Sequence, residues 1–151
     1  MRIAFGSDER THLTDVLVES LRQRGHEVVL YGPLAGEPLP WPGVAQAVAE
    51  AVASGDADEG VLCCWTGTGV SIAANKVPGV RAALCDDAET ARGARLWNDA
   101  NVLCLSLRRT SEVIAGEILD AWFGTAYQPN PEDDACIARV REIEAKYTQP
   151  G

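Results

Sequence analysis

The sequence is poor in histidine and in basic residues, and it has no long hydrophobic run. His12 and His26 are its only histidines, which excludes a histidine-rich metal centre. Lys and Arg total 13 against 22 Asp and Glu, so the formal net charge is −9. A surface of that sign repels a phosphate backbone, and no apolar segment approaches the roughly 20 residues of a membrane span. We therefore expect no nucleic acid and no membrane among its partners.

Cysteine is present without any pattern that binds a metal or forms a redox pair. No two cysteines are spaced as CxxC, which excludes a zinc ribbon and a thioredoxin-like motif. The opening segment MRIAFGSDER does not resemble a signal peptide, so we expect a cytoplasmic protein with reduced thiols. Most of the thiols are then expected to be small core residues. The five cysteines are Cys63, Cys64, Cys85, Cys104 and Cys136.

Short apolar segments alternate with segments of helical period along the whole chain of 151 residues. This alternation predicts a single domain over residues 1–151 with a doubly wound, Rossmann-like α/β fold. We expect a five-stranded parallel sheet, helices on both faces and a C-terminal helical arm at about residues 131–146. The predicted strands are residues 1–5, 27–30, 60–65, 80–85 and 102–105. The other predicted helices are residues 11–24, 44–54, 70–75, 88–98 and 111–123.

Two features of this pattern bear on local structure. The segment 31–43 is rich in proline and glycine, and we predict no regular structure for it. Asp86 or Asp87 is available to cap the helix that follows. Because ligands of doubly wound folds bind beyond the carboxyl ends of the strands, the segments that follow strands are the first places to look for function.

The third strand ends in a glycine turn, Thr66-Gly67-Thr68-Gly69. Glycines at this spacing let the backbone direct several N–H groups into one cavity, where they favour a phosphate or a developing oxyanion. The turn matches neither the GxxxxGK[ST] phosphate loop nor the GxGxxG dinucleotide motif. By itself it is a weak signal, because most glycine turns only connect elements.

Cys64 ends the strand directly before this turn. A thiol at a helix N-terminus has a lowered pKa, so its thiolate can serve as a base or a nucleophile. The alternative is a buried core cysteine, as we expect for Cys63, Cys85 and Cys104. Since side chains alternate along a strand, Cys63 and Cys64 should face opposite sides of the sheet.

Four segments together resemble the type B ribose-5-phosphate isomerases and the related galactose-6-phosphate isomerases. They are IAFGSD ending at Asp8, CWTGTGVSIAANK from Cys64, GVRAALC ending at Cys85, and NDANVL from Asn98. The ILDAW segment that ends at Trp122 also fits. The resemblance extends to about residue 140.

The resemblance implies an aldose–ketose isomerase that works through a cis-enediolate, with no metal and no cofactor. On this basis Cys64 moves a proton between C1 and C2. Thr66 and the amides of Gly67, Thr68 and Gly69 hold the enediolate oxygen. The substrate contacts that the resemblance implies are Asp8, Asn98, Arg108 and Arg139.

The departures from the family lie at the expected site. Glu9 stands where the type B enzymes have a histidine, although the galactose-6-phosphate branch also has glutamate there. Trp65 replaces a small residue after the cysteine, and Trp97 replaces the histidine that opens the sugar ring. An indole N–H only donates a hydrogen bond and cannot transfer protons. We therefore expect Glu9, Trp65 and Trp97 to line a pocket for which ribose 5-phosphate is a poor substrate.

The expected phosphate site is also altered. Arg139 remains, whereas Ala135 and Cys136 replace an arginine and a histidine of the family, and Asp133 and Asp134 add negative charge. We expect a substrate that needs no ring opening, such as a tetrose phosphate, or one with little or no phosphate.

Three functions stay open at this point. The first is an isomerase that forms a homodimer or tetramer with its site at the interface, so that the arm carrying Arg139 reaches the neighbour's pocket. The second is a non-catalytic protein that binds a small molecule or an anion on the same fold. The third is a redox sensor at Cys64, which lacks a resolving cysteine on its face of the strand.

Overall fold

The computed structural model describes residues 1–148 and shows the predicted alternation of strands and helices. Its strands are β1 (Arg2–Ser7), β2 (Glu27–Tyr31), β3 (Glu59–Cys64), β4 (Ala82–Leu84) and β5 (Val102–Ser106). Its helices are α1 (His12–Gln23), α2 (Trp41–Ser54), α3 (Thr68–Ala74), α4 (Ala88–Asn98), α5 (Glu112–Gly124) and α6 (Pro131–Thr148).

The five strands form one parallel sheet in the order β2-β1-β3-β5-β4. Strands β3 and β5 are buried along their whole length because helices cover both faces of the sheet. This arrangement confirms the predicted doubly wound fold. It also brings the ends of β1, β3 and β5 side by side at the carboxyl edge of the sheet.

The core has two halves because successive strand residues point to opposite faces. On one face, α1, α4 and α5 pack on a set that includes Phe5, Cys63 and Leu105. On the other face, α2 and α3 pack on a set that includes Leu62 and Cys64. The structure thus confirms that Cys63 and Cys64 face opposite sides of the sheet.

Capping residues in the sequence mark the positions where three of the helices begin. Thr11 forms a capping box with Thr14 at the start of α1, and Ser111 caps α5. The Asp87 side chain accepts a hydrogen bond from the Thr90 amide at 2.7 Å. Of the two predicted candidates, Asp86 and Asp87, it is therefore Asp87 that caps α4.

The prediction of an irregular segment over residues 31–43 was wrong at both ends. A 3-10 turn spans Gly32–Ala35, and α2 begins at Trp41, three residues earlier than the predicted start at Val44. Prolines are tolerated there because the first N–H groups of a helix have no helical acceptor. Helix α3 also begins earlier than predicted, at Thr68 inside the predicted glycine turn.

Helix α6 is the C-terminal arm, and most of it is exposed. Ile137 is the one residue of α6 that is buried within the described chain, and Gly79 donates a backbone hydrogen bond to Glu144 at 2.9 Å. Val140, Ile143 and Tyr147 are exposed. Among the helices in residues 1–148, none is long and apolar enough to cross a membrane.

Candidate active site

The strand register places three polar or reactive side chains in one row at the carboxyl edge of the sheet. Ser7 of β1 lies opposite Cys63, and Cys64 lies opposite Ser106 of β5. Asp8, the residue after β1, therefore stands level with Cys64. This row across β1, β3 and β5 is the centre of the candidate site.

Cys64 is the last residue of β3, and its side chain is 5% exposed. It packs with the α2 and α3 half of the core. The other buried thiols lie deeper in the fold: burial raises the pKa of Cys63 and Cys104 above the usual range, and it raises the pKa of Cys85, the residue after β4, to about 12. Cys64 is therefore the buried cysteine best placed for chemistry at the edge of the sheet.

The turn after Cys64 is held tightly against β5. Gly67 has a left-handed φ of 77°, and a Cβ built there would lie 2.5 Å from Leu84 Cδ1 and 3.0 Å from the Ser106 nitrogen. Only glycine fits this position without displacing the neighbouring strand. The Ser106 hydroxyl and the Arg108 amide both donate to the Trp65 carbonyl, at 3.0 and 3.1 Å. The turn is thus preorganised before any ligand binds.

The turn faces a cavity of about 620 Å³. The amides of Gly67, Thr68 and Gly69 belong to the start of α3, where no helical carbonyl reaches them, and they have no other acceptor within residues 1–148. The cavity therefore combines the Thr68 N–H, hydroxyl groups and two guanidinium groups with the carboxyl group of Asp86, a set suited to an anion or a sugar oxygen. Its lining residues are Thr66, Thr68, Leu84, Asp86, Ser106, Arg108 and Arg109.

Trp41 closes one side of the glycine turn. A Cβ built on Gly69 would lie 3.0 Å from Trp41 Cδ2, so the indole rests directly on the glycine backbone. Trp41 is the first residue of α2 and is 42% exposed. The glycine thus lets a large aromatic side chain approach the turn closely.

One carboxylate oxygen of Asp8 has an unusual environment. Its Oδ1 is buried and has no hydrogen-bond partner among the residues that the structure describes. Burial raises the pKa of this carboxyl group. A buried polar atom without a partner is costly, so its presence beside Cys64 points to a ligand group that completes it. Glu9 next to it is exposed, and its carbonyl accepts from the Ser7 hydroxyl at 2.7 Å.

Two of the predicted site residues, Trp97 and Asn98, lie at the other edge of the sheet. Trp97 and Asn98 end α4 and precede β5, so they stand at the amino edge of the sheet, opposite to Cys64. They line a second cavity, of about 680 Å³, together with the exposed face of α6. Trp97 is 52% exposed and packs on Gly93, where a Cβ would lie 2.7 Å from its ring.

The phosphate-binding segment expected at the start of α6 also lies apart from Cys64. Arg139 is exposed and pairs with Glu142 at 3.2 Å. The acidic residues before it have local roles: Asp133 bonds to Asn130, and Asp134 accepts from the Tyr127 hydroxyl. Carboxylates in a first helical turn are favoured by the helix dipole, which explains this acidic cluster without a ligand.

Sequence reasoning missed Ser106, Asp86 and Arg109 as lining residues of the cavity beside the glycine turn. Ser106 and Asp86 come at or just after the ends of β5 and β4. The rule that ligands bind beyond strand ends could therefore have found both. Within residues 1–148, no three His, Cys, Asp or Glu side chains lie close enough together to hold a metal ion.

Comparison with known proteins finds relatives that are named as sugar isomerases. The family model described as Ribose/Galactose Isomerase matches residues 3–143. Ribose-5-phosphate isomerase B of Escherichia coli is 42% identical over 128 residues, which cover 84% of this chain and 86% of that protein. D-erythrulose-4-phosphate isomerase of Pectobacterium atrosepticum is 37% identical over 131 residues, 85% of this chain and 86% of that protein.

Solved structures agree with the sequence matches. The structure of ribose-5-phosphate isomerase B from Clostridium thermocellum superposes with a TM-score of 0.92 and 40% sequence identity. The match covers 98% of this chain and 100% of the chain of that structure. The predicted fold class is confirmed over nearly its full length.

Proposed function

The chain belongs to the ribose/galactose isomerase family, and we propose that it interconverts an aldose and a ketose through a cis-enediolate, with Cys64 as the base. The family membership confirms the predicted resemblance. The observation that carries the mechanism is the juxtaposition at the end of β3: the Cys64 thiol, a carboxylate oxygen of Asp8 without a hydrogen-bond partner in residues 1–148, and a turn whose amides have no acceptor there. Proton abstraction next to a carbonyl needs both a base and preorganised donors for the oxyanion.

The proposed reaction moves one proton between carbons and one between oxygens. Deprotonated Cys64 takes the proton from C2 of the open-chain aldose, and the C2–H electron pair forms the C1–C2 double bond of the enediolate. The amides of Gly67, Thr68 and Gly69, with the Thr66 hydroxyl, stabilise the negative oxygen. Cys64 returns its proton to C1 while the hydroxyl proton passes from O2 to O1. Asp8 accepts a hydrogen bond from a substrate hydroxyl.

We further propose that two copies of the chain complete each site. The parallel sheet holds Cys64 and Arg108 at its carboxyl edge and Trp97 and Asn98 at its amino edge, so one chain cannot bring them together. The exposed arm supports the same proposal, because Val140, Ile143 and Tyr147 form an exposed apolar surface among residues 1–148. A neighbour that covers this surface brings Asn98 and Arg139 to the cavity beside the glycine turn.

The proposed substrate is a phosphorylated sugar that needs no ring opening, such as a tetrulose phosphate. A tetrose 4-phosphate has no free hydroxyl at C4 to close a furanose ring, so it needs no ring-opening histidine. Trp97 cannot transfer protons, and Arg108 and Arg109 give the cavity two guanidinium groups for a phosphate. The D-erythrulose-4-phosphate isomerase among the relatives shows that the family includes an enzyme named for such a substrate.

A panel of aldoses, ketoses and their phosphates in deuterated water tests the activity and the substrate together. We expect deuterium at C2 of a tetrose phosphate. For ribose 5-phosphate we expect kcat/KM to be about 10²-fold lower, because an acid–base group for ring opening is missing. The matched variant Trp97→His is expected to narrow this gap. Equal turnover of the two sugars by the unmodified enzyme contradicts the substrate proposal, and exchange with no sugar favours the non-catalytic binding protein.

Mixing two inactive variants tests whether copies share a site. Cys64→Ala and Asn98→Ala each damage every site of their own homodimer. In a re-equilibrated equal mixture, half of the dimers contain one chain of each kind, and each of these has one intact site. We expect the mixture to regain about a quarter of the unmodified activity, as two-fold symmetry requires. If each site lies within one chain, mixing restores nothing.

A further inference from the structure

Two hydroxyl groups meet in the turn that follows Cys64. The Oγ1 atoms of Thr66 and Thr68 lie 2.7 Å apart, the usual distance of an O–H···O hydrogen bond. Both side chains are exposed and both line the cavity of about 620 Å³. In such a pair one hydroxyl donates and the other accepts, so each hydroxyl determines where the proton of the other points.

The backbone builds this contact. Gly67 lies between the two threonines in a left-handed conformation with a φ of 77°, which turns both side chains into the same cavity. Gly67 packs closely against β5, since a Cβ placed on it would lie 2.9 Å from the Leu105 carbonyl carbon. The distance between the two hydroxyls therefore follows from the packing of the turn against the sheet.

The direction of the hydrogen bond follows from the chemistry. In the proposed reaction the Thr66 hydroxyl donates to an enediolate oxygen, and a hydroxyl has only one proton to donate. Thr66 must then accept from Thr68. Within residues 1–148, Thr66 Oγ1 has no other hydrogen-bond partner, so no second group can hold its proton in place.

We propose that Thr68 is a positioning residue, whose hydroxyl donates to Thr66 Oγ1 and so directs the Thr66 proton at the substrate oxyanion. This proposal rests on the proposed isomerase function and assigns the Thr68 side chain a role separate from that of its amide. Without the Thr68 hydroxyl, the Thr66 hydroxyl rotates freely and loses orientation when charge develops on the substrate.

A double-mutant cycle with Thr66→Val, Thr68→Val and the double variant tests the proposal. We expect Thr68→Val to lower kcat about five-fold with little change in KM, as the loss of one hydrogen bond in the transition state predicts. Thr68→Ser keeps the hydroxyl and is expected to restore kcat to within about two-fold. Because Thr68 acts through Thr66, Thr68→Val should have no further effect in the Thr66→Val background.

Several outcomes overturn the proposal. It fails if Thr68→Val has the kcat of the unmodified enzyme, if Thr68→Ser does not restore activity, or if the two substitutions reduce kcat independently. Circular dichroism and the melting temperature check that each variant is folded, and Thr68→Ala removes the same hydroxyl if Thr68→Val does not fold. If the unmodified enzyme is active and Thr68→Val has the same kcat, only the role of Thr68 is refuted. An enzyme without exchange on any sugar refutes the proposed function and this role with it.

Discussion

Replacing Cys64 with alanine is expected to lower kcat by about 10² to 10⁴-fold, the usual contribution of a positioned acid–base group. The substitution removes the only strand thiol in the Asp8 and Ser106 row. No neighbouring cysteine replaces it, because Cys63 faces the other half of the core and burial raises the pKa of Cys104 well above the usual range. The measurement is kcat on the best substrate, together with deuterium incorporation at C2.

The adjacent cysteine provides a matched control. Cys63→Ala removes the same atoms one residue earlier in β3, on the face covered by α1, α4 and α5. We expect this variant to keep the kcat of the unmodified enzyme per folded molecule, with some loss of stability from the cavity it leaves. Cys64→Ser is expected to resemble Cys64→Ala, because a serine hydroxyl is too weak an acid to form a base at neutral pH. A Cys64→Ala variant that keeps more than about a tenth of kcat excludes Cys64 as the base.

The local geometry of the candidate site could be predicted because its residues are continuous in the chain. Cys64, Thr66 and the glycines of the turn lie within six residues at the end of a strand. Their spacing alone predicts a thiol beside a set of free amides. The structure adds what spacing cannot show: Gly67 is held against β5, and the Thr66 and Thr68 hydroxyls touch.

Trp97 and Asn98 lie where the fold class places them, at the end of the helix that precedes β5. They come close to β5 along the chain, and a resemblance to known isomerases implies that they contact substrate. A helix that connects parallel strands, however, returns to the amino edge of the sheet. The structure therefore places them far from the end of β3 within one chain. Their contact with substrate, and the homodimer that makes it possible, remain proposals.

Long-range polar contacts in the core also had no signal in the sequence. Glu59 begins β3, Arg95 lies in α4 and Trp122 lies in α5, so three elements separate in the chain meet at one point. Periodicity predicts that α4 and α5 pack on the sheet. It does not predict which polar side chains pair beneath them, because that depends on the order of the strands.

Replacing Arg95 with methionine is expected to lower the free energy of unfolding by about 3–5 kcal/mol at pH 7, since it leaves a buried carboxylate without its cation. Arg95 Nη2 lies 2.9 Å from Glu59 Oε1, and both side chains are largely buried. The Trp122 indole donates to Glu59 Oε2 at 2.9 Å, and Arg95 also donates to the carbonyls of Ala100 and Thr125. The pair thus joins β3 to α4, to α5 and to the residue that follows α5.

The loss of unfolding free energy in Arg95→Met should be larger at higher pH. Burial raises the pKa of Glu59 above its ordinary value of 4.5, while Arg95 opposes this shift. Without Arg95 the folded-state pKa rises further, and the folded protein binds a proton that the unfolded chain releases. Stability then falls as the pH rises above about 4.5. We therefore expect the difference between the unmodified protein and Arg95→Met to be smaller at pH 5 than at pH 7.

Urea unfolding at both pH values measures this effect, and Arg2→Met is the matched control. Arg2 pairs with Glu27 at 3.8 Å near the same edge of the sheet, but both side chains are at least half exposed. An exposed pair of this kind contributes about 0–1 kcal/mol, so Arg2→Met should change stability little. If Arg95→Met is as mild as Arg2→Met, or if its loss is greater at pH 5, the Glu59–Arg95 pair does not hold β3 to the two helices in the way that the structure indicates.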